Sequence, residues 1–442
     1  MAIAGGGPTG LMMARLLAAD GHEVTVFEAD GEIGGLCRSR DVEGYAFDLA
    51  GGHIMYTRDP RVDAFWTELF ADEPCHQIKR DTRILHDRDR WVSYPFENGL
   101  GELPLEHNLE CTEGVIRAAL ARDGRPAPQD FGGWIDWKMG AGVAKHFMVP
   151  YNEKIWKADL STMSTDWIAD RVPDAPLEDV LRSSLGETTE GYTHQIHFRY
   201  PMRGGFADIH ERIAAPVRDR IRLNHRVEQI ERDGEQWIVD GEHFDHVVCT
   251  LPLHVLPRIL KGMDAGIAEA AGRLRYRGVA CYLFGIEQEW VKPYCWVYLP
   301  HAKQGPANRI TYLSNYSPNN APDGKGSILA EVTYRPEDPP DVGTRGRAEL
   351  AQALQGAGLL DADRVTVTDG HLNPVSYILY DLGFEERRTA VLEHLDGLEG
   401  FHALGRFGRY EYHNSDQCLA RCMQLHDRLA PVLARGGGPA VG

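Results

Sequence analysis

A glycine-rich turn near the N-terminus constrains the fold more than any other feature of this 442-residue chain. Three apolar residues at 2–4 precede Gly5, Gly7 and Gly10, whose spacing is Gly-x-Gly-x-x-Gly. An amphipathic segment at 11–19 follows, and then a second short apolar segment. This order predicts a strand–turn–helix–strand unit in which the glycines let a pyrophosphate approach the helix N-terminus.

The residues around the turn support nucleotide binding in two further respects. Pro8 and Thr9 stand at the start of the expected helix, where free backbone N–H groups attract an anion. Glu28 ends the second apolar segment, where a carboxylate can accept hydrogen bonds from an adenosine ribose. A glycine-rich turn can also be only a turn. Here strand, helix and acidic residue all stand where a dinucleotide site requires them, so binding is the better interpretation.

Composition excludes several classes of partner. With 47 Lys and Arg against 65 Asp and Glu, the formal net charge is −18, which repels nucleic acids and anionic lipids. We find no basic run, no secretory signal and no apolar run of about 18 residues, the length of a membrane span. We therefore expect a cytoplasmic protein without a nucleic-acid or membrane partner. A homo-oligomer stays open as an alternative.

Cysteine and histidine usage argues against disulfides and metals. The eight cysteines are scattered, which favours buried, reduced thiols over a disulfide framework. The histidines form no local motif such as His-Glu-x-x-His, and no Gly-x-Ser-x-Gly nucleophile elbow is present. We therefore predict neither a metal ion nor a serine nucleophile.

Two further glycine pairs favour a flavin over a nicotinamide cofactor. These pairs and the residues beside them are Gly34, Gly35, Leu36 and Arg38, then Gly51, Gly52 and His53. The arrangement resembles the FAD-binding half of the amine oxidase and UDP-galactopyranose mutase superfamily. The resemblance implies that the first pair approaches the FAD diphosphate and that the second lies against the flavin ring.

Six motifs, in order, narrow the resemblance. They occupy residues 51–54, 91–98, 147–156, 198–205, 314–318 and 405–410. Together they resemble the UDP-galactopyranose mutases, particularly the eukaryotic-type branch, over almost the whole chain. Membership of such a family does not determine the substrate.

The resemblance implies an α/β fold. A Rossmann-like FAD-binding domain would be interleaved with a mixed α+β substrate-binding domain that contains a helical subdomain and an antiparallel sheet. The expected boundaries are 1–80, 201–270 and 386–442 for the FAD-binding domain, and 81–200 and 271–385 for the substrate domain.

Local patterns add elements to this outline. Helical spacing occurs at 113–122, 177–185, 348–355 and 416–433. Strand-like alternation occurs at 221–230 and 236–240, and residues 246–252 have the composition of a buried strand. The resemblance to FAD proteins implies that this strand rejoins the dinucleotide sheet.

The resemblance also implies a function. The chain would be a FAD-dependent nucleotide-sugar pyranose/furanose mutase, in which N5 of the reduced flavin attacks the anomeric carbon while the nucleoside diphosphate leaves. NAD(P)H would be the reductant. Such a leaving group gains negative charge as it departs, so guanidinium groups should hold it. Arg171 and Arg309 match the diphosphate arginines of the family, and His53 would sit near the flavin N5.

The remaining site residues follow from the same resemblance. Further FAD contacts are expected from Val227, Gly405, Arg406, Asn414 and Ser415. Phosphate contacts are expected from Tyr298, Tyr377, Tyr410 and Asn414, with Trp296 nearby. The nucleobase slot is expected from Tyr94, Phe96, Glu97, Phe147, Asn152 and Trp156.

Two departures and two rival functions stay open. Glu97 stands where eukaryotic-type mutases have glutamine, and an ionised carboxylate cannot donate a hydrogen bond. Either the base contact is rearranged or the nucleotide differs. Tyr377 lacks the proline-containing surroundings typical of the family. The rival functions are a flavin amine oxidase or dehydrogenase, and a non-catalytic FAD protein that binds a nucleotide sugar or a protein partner.

Overall fold

The structure is a computed structural model that describes residues 1–168, 172, 175–187 and 196–436. Its strands are β1 (Ala2–Ala4), β2 (Thr25–Phe27), β3 (Ser39–Val42), β4 (Tyr45–Asp48), β5 (His76–Lys79), β6 (Thr82–Asp87), β7 (Arg90–Ser93), β8 (His197–Tyr200), β9 (Ile221–Arg222), β10 (Ile230–Asp233), β11 (Gln236–Val239), β12 (Glu242–Phe244), β13 (Val247–Cys249), β14 (Tyr276–Glu287), β15 (Trp296–Tyr298), β16 (Arg309–Thr311), β17 (Lys325–Tyr334), β18 (Val367–Ile378) and β19 (Phe401–Ala403).

The helices alternate with these strands. They are α1 (Pro8–Ala19), α2 (Pro60–Leu69), α3 (Leu105–Ala121), α4 (Phe131–Val143), α5 (Val149–Trp156), α6 (Leu177–Ser184), α7 (Ala207–Ala214), α8 (Leu256–Ile259), α9 (Ala265–Gly272), α10 (Thr344–Gly356), α11 (Phe384–Asp396) and α12 (Ser415–Gly436). A π-helical segment, Ala144–Met148, joins α4 to α5. No helix in the described ranges is both long and apolar enough to cross a membrane.

A parallel sheet in the order β19-β13-β1-β2-β9 forms the first layer. Its central strand β1 is completely buried, with β13 on one side and β2 on the other. Helix α1 begins directly after β1, because Gly7 holds an extended backbone and Pro8 at the first helical position has its φ angle preset for a helix. The α1 side chains Leu11 and Leu17 pack into the core with α7 and α12.

The second layer is a mixed sheet in the order β18-β14-β17-β16-β15-β6-β7. All of its pairs are antiparallel except β15 with β6. Strands β14 and β17 are buried along almost their entire length, because both faces of the sheet are covered. Helices α3 to α6 form a separate helical region beside β6, with its own hydrophobic core.

The predicted fold class is confirmed, and most of the predicted elements are present. Helix α6 lies within the predicted segment 177–185, and β13 lies within the predicted buried strand 246–252. The prediction of continuous strand over 221–230 is wrong. Strand β9 ends at Arg222, and the backbone of Asn224 then takes a positive φ of 55°. The chain turns there, and Asn224 N–H bonds the carbonyl of Asp30.

Candidate active site

A cavity of about 580 Å³ lies between the parallel sheet and the mixed sheet. One end is formed by the loop after β1 and the segment before β3, and the other end by α5 and the helical region. Predicted site residues that line it are Gly5, Gly7, Pro8, Thr9, Gly35, Leu36, Gly52, His53, Tyr94, Phe96, Glu97, Phe147, Asn152, Trp156, Trp296, Tyr298, Arg309, Tyr377, Gly405, Arg406, Asn414 and Ser415.

Glycines make the first end of the cavity accessible to a ligand backbone. Gly5 has a φ of +106°, a conformation that L side chains rarely adopt. A Cβ on Gly35 would lie 3.3 Å from the Cα of Gly7, so the two turns pack backbone against backbone. A Cβ on Gly405 would lie 2.8 Å from the hydroxyl of Thr9. We call this end of the cavity, lined by Gly5, Gly7, Gly35 and Gly405, the glycine cradle. Larger residues at these positions would narrow the cradle or displace its walls.

The N-terminus of α1 points its free N–H groups at this cradle. Its first turn contains no acidic residue and no side-chain cap, so its positive dipole end is left for a ligand anion. Pro8 and Thr9 line the cavity. This arrangement suits a diphosphate, as the glycine spacing predicted.

Glu28 organises the turn rather than lining the cavity. Its two carboxylate oxygens accept hydrogen bonds from the backbone N–H groups of Gly6, at 2.7 Å, and Asp30, at 2.9 Å. Gly34 N–H in turn bonds the carbonyl of Gly6 at 2.8 Å. Arg38 donates to the carbonyl of Gly35 and pairs with Asp30. The ribose contact of Glu28 stays a prediction.

Arg309 enters the cavity on a fixed support. It stands opposite Glu331 in the register of β16 and β17, and the guanidinium holds that carboxylate through Nε at 2.7 Å and Nη2 at 2.8 Å. Glu331 is fully buried, while 23% of the Arg309 side chain stays exposed. A Cβ on Gly51 would lie 2.8 Å from a Glu331 carboxylate oxygen. Gly51 therefore makes room for this ion pair and does not line the cavity.

His53 follows Gly52 in the sequence and, like Arg309, lines the cavity. Its ring stacks on Phe206 with centroids 5.0 Å apart, and its Nδ1 is buried without a hydrogen-bond partner among the described residues. Burial, together with the positive charges of Arg309 and Arg406, lowers the pKa of His53 to about 4. The imidazole is therefore neutral at pH 7, and its unpaired nitrogen can bond a ligand.

Aromatic side chains form the opposite wall. Phe96 stacks on Phe147 at 5.1 Å and 15°, Phe147 stacks on Tyr151 at 5.4 Å and 12°, and Tyr151 meets the edge of Tyr298. Asn152 is tied to this wall by its own amide, which donates to the Met148 carbonyl and accepts from the Trp156 indole. We therefore expect Asn152 to position the wall and to offer a ligand only its remaining hydrogen-bonding capacity.

Arg406 holds the loop at the cofactor end. It donates to the carbonyls of His413 and Ser376, and its guanidinium lies 4.5 Å from the ring centre of Tyr412. Its Nε is buried without a hydrogen-bond partner among the described residues. An anionic ligand in the cavity would meet a positive group here.

Besides Glu28, Gly34, Arg38 and Gly51, three more predicted residues that the structure describes do not line the cavity. Tyr410 is buried and its hydroxyl bonds Nδ1 of His254 at 2.6 Å, so the structure does not support its phosphate contact. Val227 packs in the hydrophobic core beneath the parallel sheet, away from the cavity. Gly10 closes the α1 turn, where a Cβ would lie 1.9 Å from the carbonyl oxygen of Gly5. Arg171 lies outside the described residues.

Several cavity residues were not predicted, among them four with polar side chains that could contact a ligand. These four are Tyr56, Arg80, Tyr151 and Tyr412. Tyr151 could have been found, because it follows Phe147 by one helical turn inside a motif already identified. Tyr412, two residues after Tyr410, lines the cavity, whereas Tyr410 does not. Arg80 carries no sequence signal, because it stands in a loop after β5.

The fold and the glycine cradle define a dinucleotide-binding protein of the flavoprotein class. The family model described as flavin containing amine oxidoreductase matches residues 8–387, so the chain belongs to that family. Its cofactor is FAD. The cradle, the α1 N-terminus and the unpaired nitrogens of His53 and Arg406 fit such a group.

Similarity to solved structures extends over the whole chain. A crystal structure of reduced UDP-galactopyranose mutase matches with a TM-score of 0.88 and 26% identity, covering 98% of this chain and 93% of the other. Putrescine oxidase bound to putrescine matches with a TM-score of 0.64 and 16% identity, covering 98% of both chains, which shows the shared fold.

Two curated relatives have names that denote oxidation chemistry. AofH of Mycobacterium tuberculosis, a protein named for flavin-containing monoamine oxidase activity, is 24% identical over 402 residues, which cover 87% of this chain and 83% of AofH. A 4,4'-diapophytoene desaturase of Staphylococcus aureus is 33% identical over 116 residues, 26% of this chain. That match spans only 22% of the desaturase.

Proposed function

We propose that this chain is a FAD-dependent nucleotide-sugar mutase that interconverts pyranose and furanose forms of its substrate. The observation that carries the proposal is Arg309, held by a buried carboxylate and directed into a cavity that also has a FAD cradle and an aromatic wall. The similarity to reduced UDP-galactopyranose mutase supports it.

Arginine and tyrosine side chains of the cavity would bind the diphosphate of the substrate. Arg309 would bind the diphosphate and stabilise the charge that develops as the bond to the anomeric carbon breaks. Because Nε and Nη2 are held by Glu331, the Nη1 edge is the part of the guanidinium left for the ligand. Tyr298, Tyr377 and Tyr412 would donate neutral hydrogen bonds to the same phosphates. Bound FAD supplies an electron-rich nucleophile when it is reduced.

His53 would help to position the flavin ring without carrying charge. Its lowered pKa keeps it neutral at physiological pH, so a proton transfer from an imidazolium is not expected. Stacking on Phe206 keeps the ring in one orientation. Arg171 would be the second diphosphate arginine, as the family resemblance implies.

The nucleotide is the least constrained part of the substrate. Glu97 lines the cavity and directly follows Phe96 of the aromatic wall, and it can accept hydrogen bonds from a base that presents N–H groups. UDP-galactopyranose is the first substrate to test. A different nucleoside diphosphate hexose is the alternative that Glu97 favours.

A product assay tests the mutase proposal directly. Purified holoenzyme, reduced with dithionite under nitrogen, is mixed with UDP-galactopyranose and with a panel of other nucleotide hexoses, and furanose formation is followed by NMR. We expect one member of the panel to rearrange, with no net consumption of reductant. Absence of a furanose product from every panel member would contradict the proposal. Flavin reduction by NADPH and NADH then identifies the reductant.

An amine oxidase is the second candidate, because the family model and AofH both favour it. Oxidised holoenzyme is mixed anaerobically with putrescine, other polyamines and aromatic amines, and flavin absorbance is followed. An oxidase loses its flavin absorbance with substrate alone, whereas a mutase requires a separate reductant. Bleaching by an amine would favour the oxidase.

A further inference from the structure

Three histidines from distant parts of the sequence meet behind the aromatic wall. His86 lies on β6, His107 lies in the first turn of α3, and His146 lies on the π-helical segment between α4 and α5. One ring nitrogen from each lies within 4.8 Å of the others. His86 and His146 are buried, and His107 is half-buried. A π-helical turn in this position is notable, because such turns often present functional side chains.

The polar contacts of the cluster resemble a ligand shell. Nε2 of His86 lies 2.9 Å from Nδ1 of His107. Nε2 of His146 lies 2.6 Å from a carboxylate oxygen of Glu110, which is also bound by Lys145 at 2.8 Å. A carboxylate on the far nitrogen of a histidine orients the ring and leaves its other nitrogen for a metal.

One buried ring nitrogen of the histidine cluster makes no hydrogen bond within the part of the chain that the structure describes. Nδ1 of His86 is buried without a hydrogen-bond partner among the described residues. Because Nε2 is bonded to His107, one nitrogen of His86 is unpaired in either tautomer. An unpaired imidazole nitrogen in a histidine cluster is a potential metal ligand.

The three histidine nitrogens need only small movements to bind one ion. Tetrahedral zinc with nitrogen ligands at 2.0–2.1 Å places those nitrogens about 3.3 Å apart. The present separations, up to 4.8 Å, reach that value by modest side-chain rotations. The nearby His301 is not counted as a ligand. Its ring accepts the backbone N–H of Gln304, so its other nitrogen carries the proton of the neutral ring.

We propose that His86, His107 and His146 bind one divalent transition-metal ion of the zinc class, with Glu110 positioning His146 and a water completing the shell. Zinc is the natural occupant of a site with three imidazoles, and Co²⁺ reports on it spectroscopically. The site is separate from the catalytic cavity, because none of the three histidines lines that cavity.

The ion would fasten the aromatic wall from behind. His86 packs beside Phe96, with ring centres 6.3 Å apart, and His146 immediately precedes Phe147. Phe96 and Phe147 are the stacked pair of the wall. An ion here would add a link between β6, α3 and the π-helical segment, which the hydrogen bonds His86–His107 and His146–Glu110 already join. We therefore assign it a structural role.

Metal binding is tested on the FAD-loaded, full-length chain after dialysis against a chelator. Zn²⁺ is titrated by calorimetry, and Co²⁺ is titrated by visible absorption, which reveals tetrahedral nitrogen coordination. We expect one ion per chain and a melting temperature that rises with Zn²⁺ concentration, because an ion that binds only the folded state stabilises it. No binding of either ion by the folded protein would overturn the proposal.

Matched variants connect the ion to these histidines. His107→Ala removes the least buried ligand, and we expect it to weaken Zn²⁺ binding at least tenfold while FAD absorbance is retained. Glu110→Gln should weaken binding by about 10-fold to 100-fold, the usual effect of losing a carboxylate that supports a ligand. His243→Ala, at an exposed position on β12, is the control and should bind Zn²⁺ as the wild type does. Binding unchanged in His107→Ala would locate the ion elsewhere and overturn the proposal.

Discussion

The Arg309–Glu331 pair gives the sharpest test of how this site is built. Substituting Arg309→Met keeps most of the side-chain volume but removes the guanidinium. Two effects should follow, since the group both neutralises a buried carboxylate and faces the proposed diphosphate. A substitution of Arg309 alone cannot separate them.

The stability effect can be worked from the geometry. The bond lengths are 2.7 Å and 2.8 Å, and Glu331 has no exposed surface, so loss of Arg309 leaves an uncompensated buried charge. Breaking a buried pair in this way costs about 3–5 kcal/mol. We expect the lower end of that range, because 23% of the Arg309 side chain is exposed and water in the cavity can solvate the carboxylate.

The catalytic effect is separate and of similar size. Loss of one donor that stabilises charge in the transition state lowers kcat about 10²- to 10³-fold, or about 2.7–4 kcal/mol. FAD should stay bound, because the cradle around Gly5 and Gly35 is untouched. The assays are melting temperature, flavin content and furanose formation by the reduced enzyme. Arg117→Met, on the exposed face of α3, is the control and should match the wild type in all three.

A double variant separates the two effects. Glu331→Gln in the Arg309→Met background removes the buried charge, so stability should recover by most of the amount lost. Furanose formation should stay low, because no guanidinium faces the diphosphate. Recovery of turnover together with stability would refute the reasoning, since Arg309 would then act only through folding.

Three other predictions use different parts of the molecule. Tyr412→Phe should weaken substrate binding, because Tyr412 lines the cavity. Tyr410→Phe should leave the substrate Kd within about twofold and lower the free energy of unfolding by only about 0.5–1.5 kcal/mol, because it removes one internal hydrogen bond. Calorimetric titration measures the Kd, and melting curves measure the stability. Burial lowers the pKa of Lys154 to about 7, so between pH 7 and 10 the unfolded chain holds a proton that the folded chain has released. Over that window the free energy of unfolding of the wild type should rise by about 1.4 kcal/mol per pH unit more than that of Lys154→Met. Denaturant titrations at several pH values measure both free energies, and an equal dependence on pH in the two proteins would contradict the assignment. Gly10→Ala should lose FAD, measured by flavin absorbance of the purified protein, because its Cβ overlaps a backbone carbonyl oxygen; Gly272→Ala, whose Cβ meets no atom within 4 Å, should retain FAD.

Much of the cofactor site was accessible from the sequence. The turn from Gly5 to Gly10 requires positive φ and close backbone approach, which glycine allows and other residues resist. These are local requirements, so spacing along the chain reveals them. The aromatic wall was predictable for the same reason, because Phe147 and Tyr151 are one helical turn apart on a continuous stretch of helix.

The sequence was less informative about which tyrosine reaches the cavity. Tyr410 and Tyr412 are separated by one residue and have the same chemistry. The backbone of Tyr410 takes a positive φ of 51°, and its side chain turns into the core against His254. Tyr412 is then directed to the cavity. The backbone conformation at Tyr410 therefore goes with the different positions of the two tyrosines, and no residue pattern in the sequence predicted it.

The sequence by itself determined the glycine cradle, the parallel strand–helix unit and the order of the site motifs, because each depends on neighbours along the chain. Only the tertiary structure decided that Glu331 holds Arg309 and that Gly51 leaves space for the pair, since strand register brings residues 22 positions apart face to face. Likewise, His86, His107 and His146 meet only when a strand, a helix and a π-helical turn pack together. Contacts of that kind depend on packing in three dimensions, which spacing in one dimension does not encode.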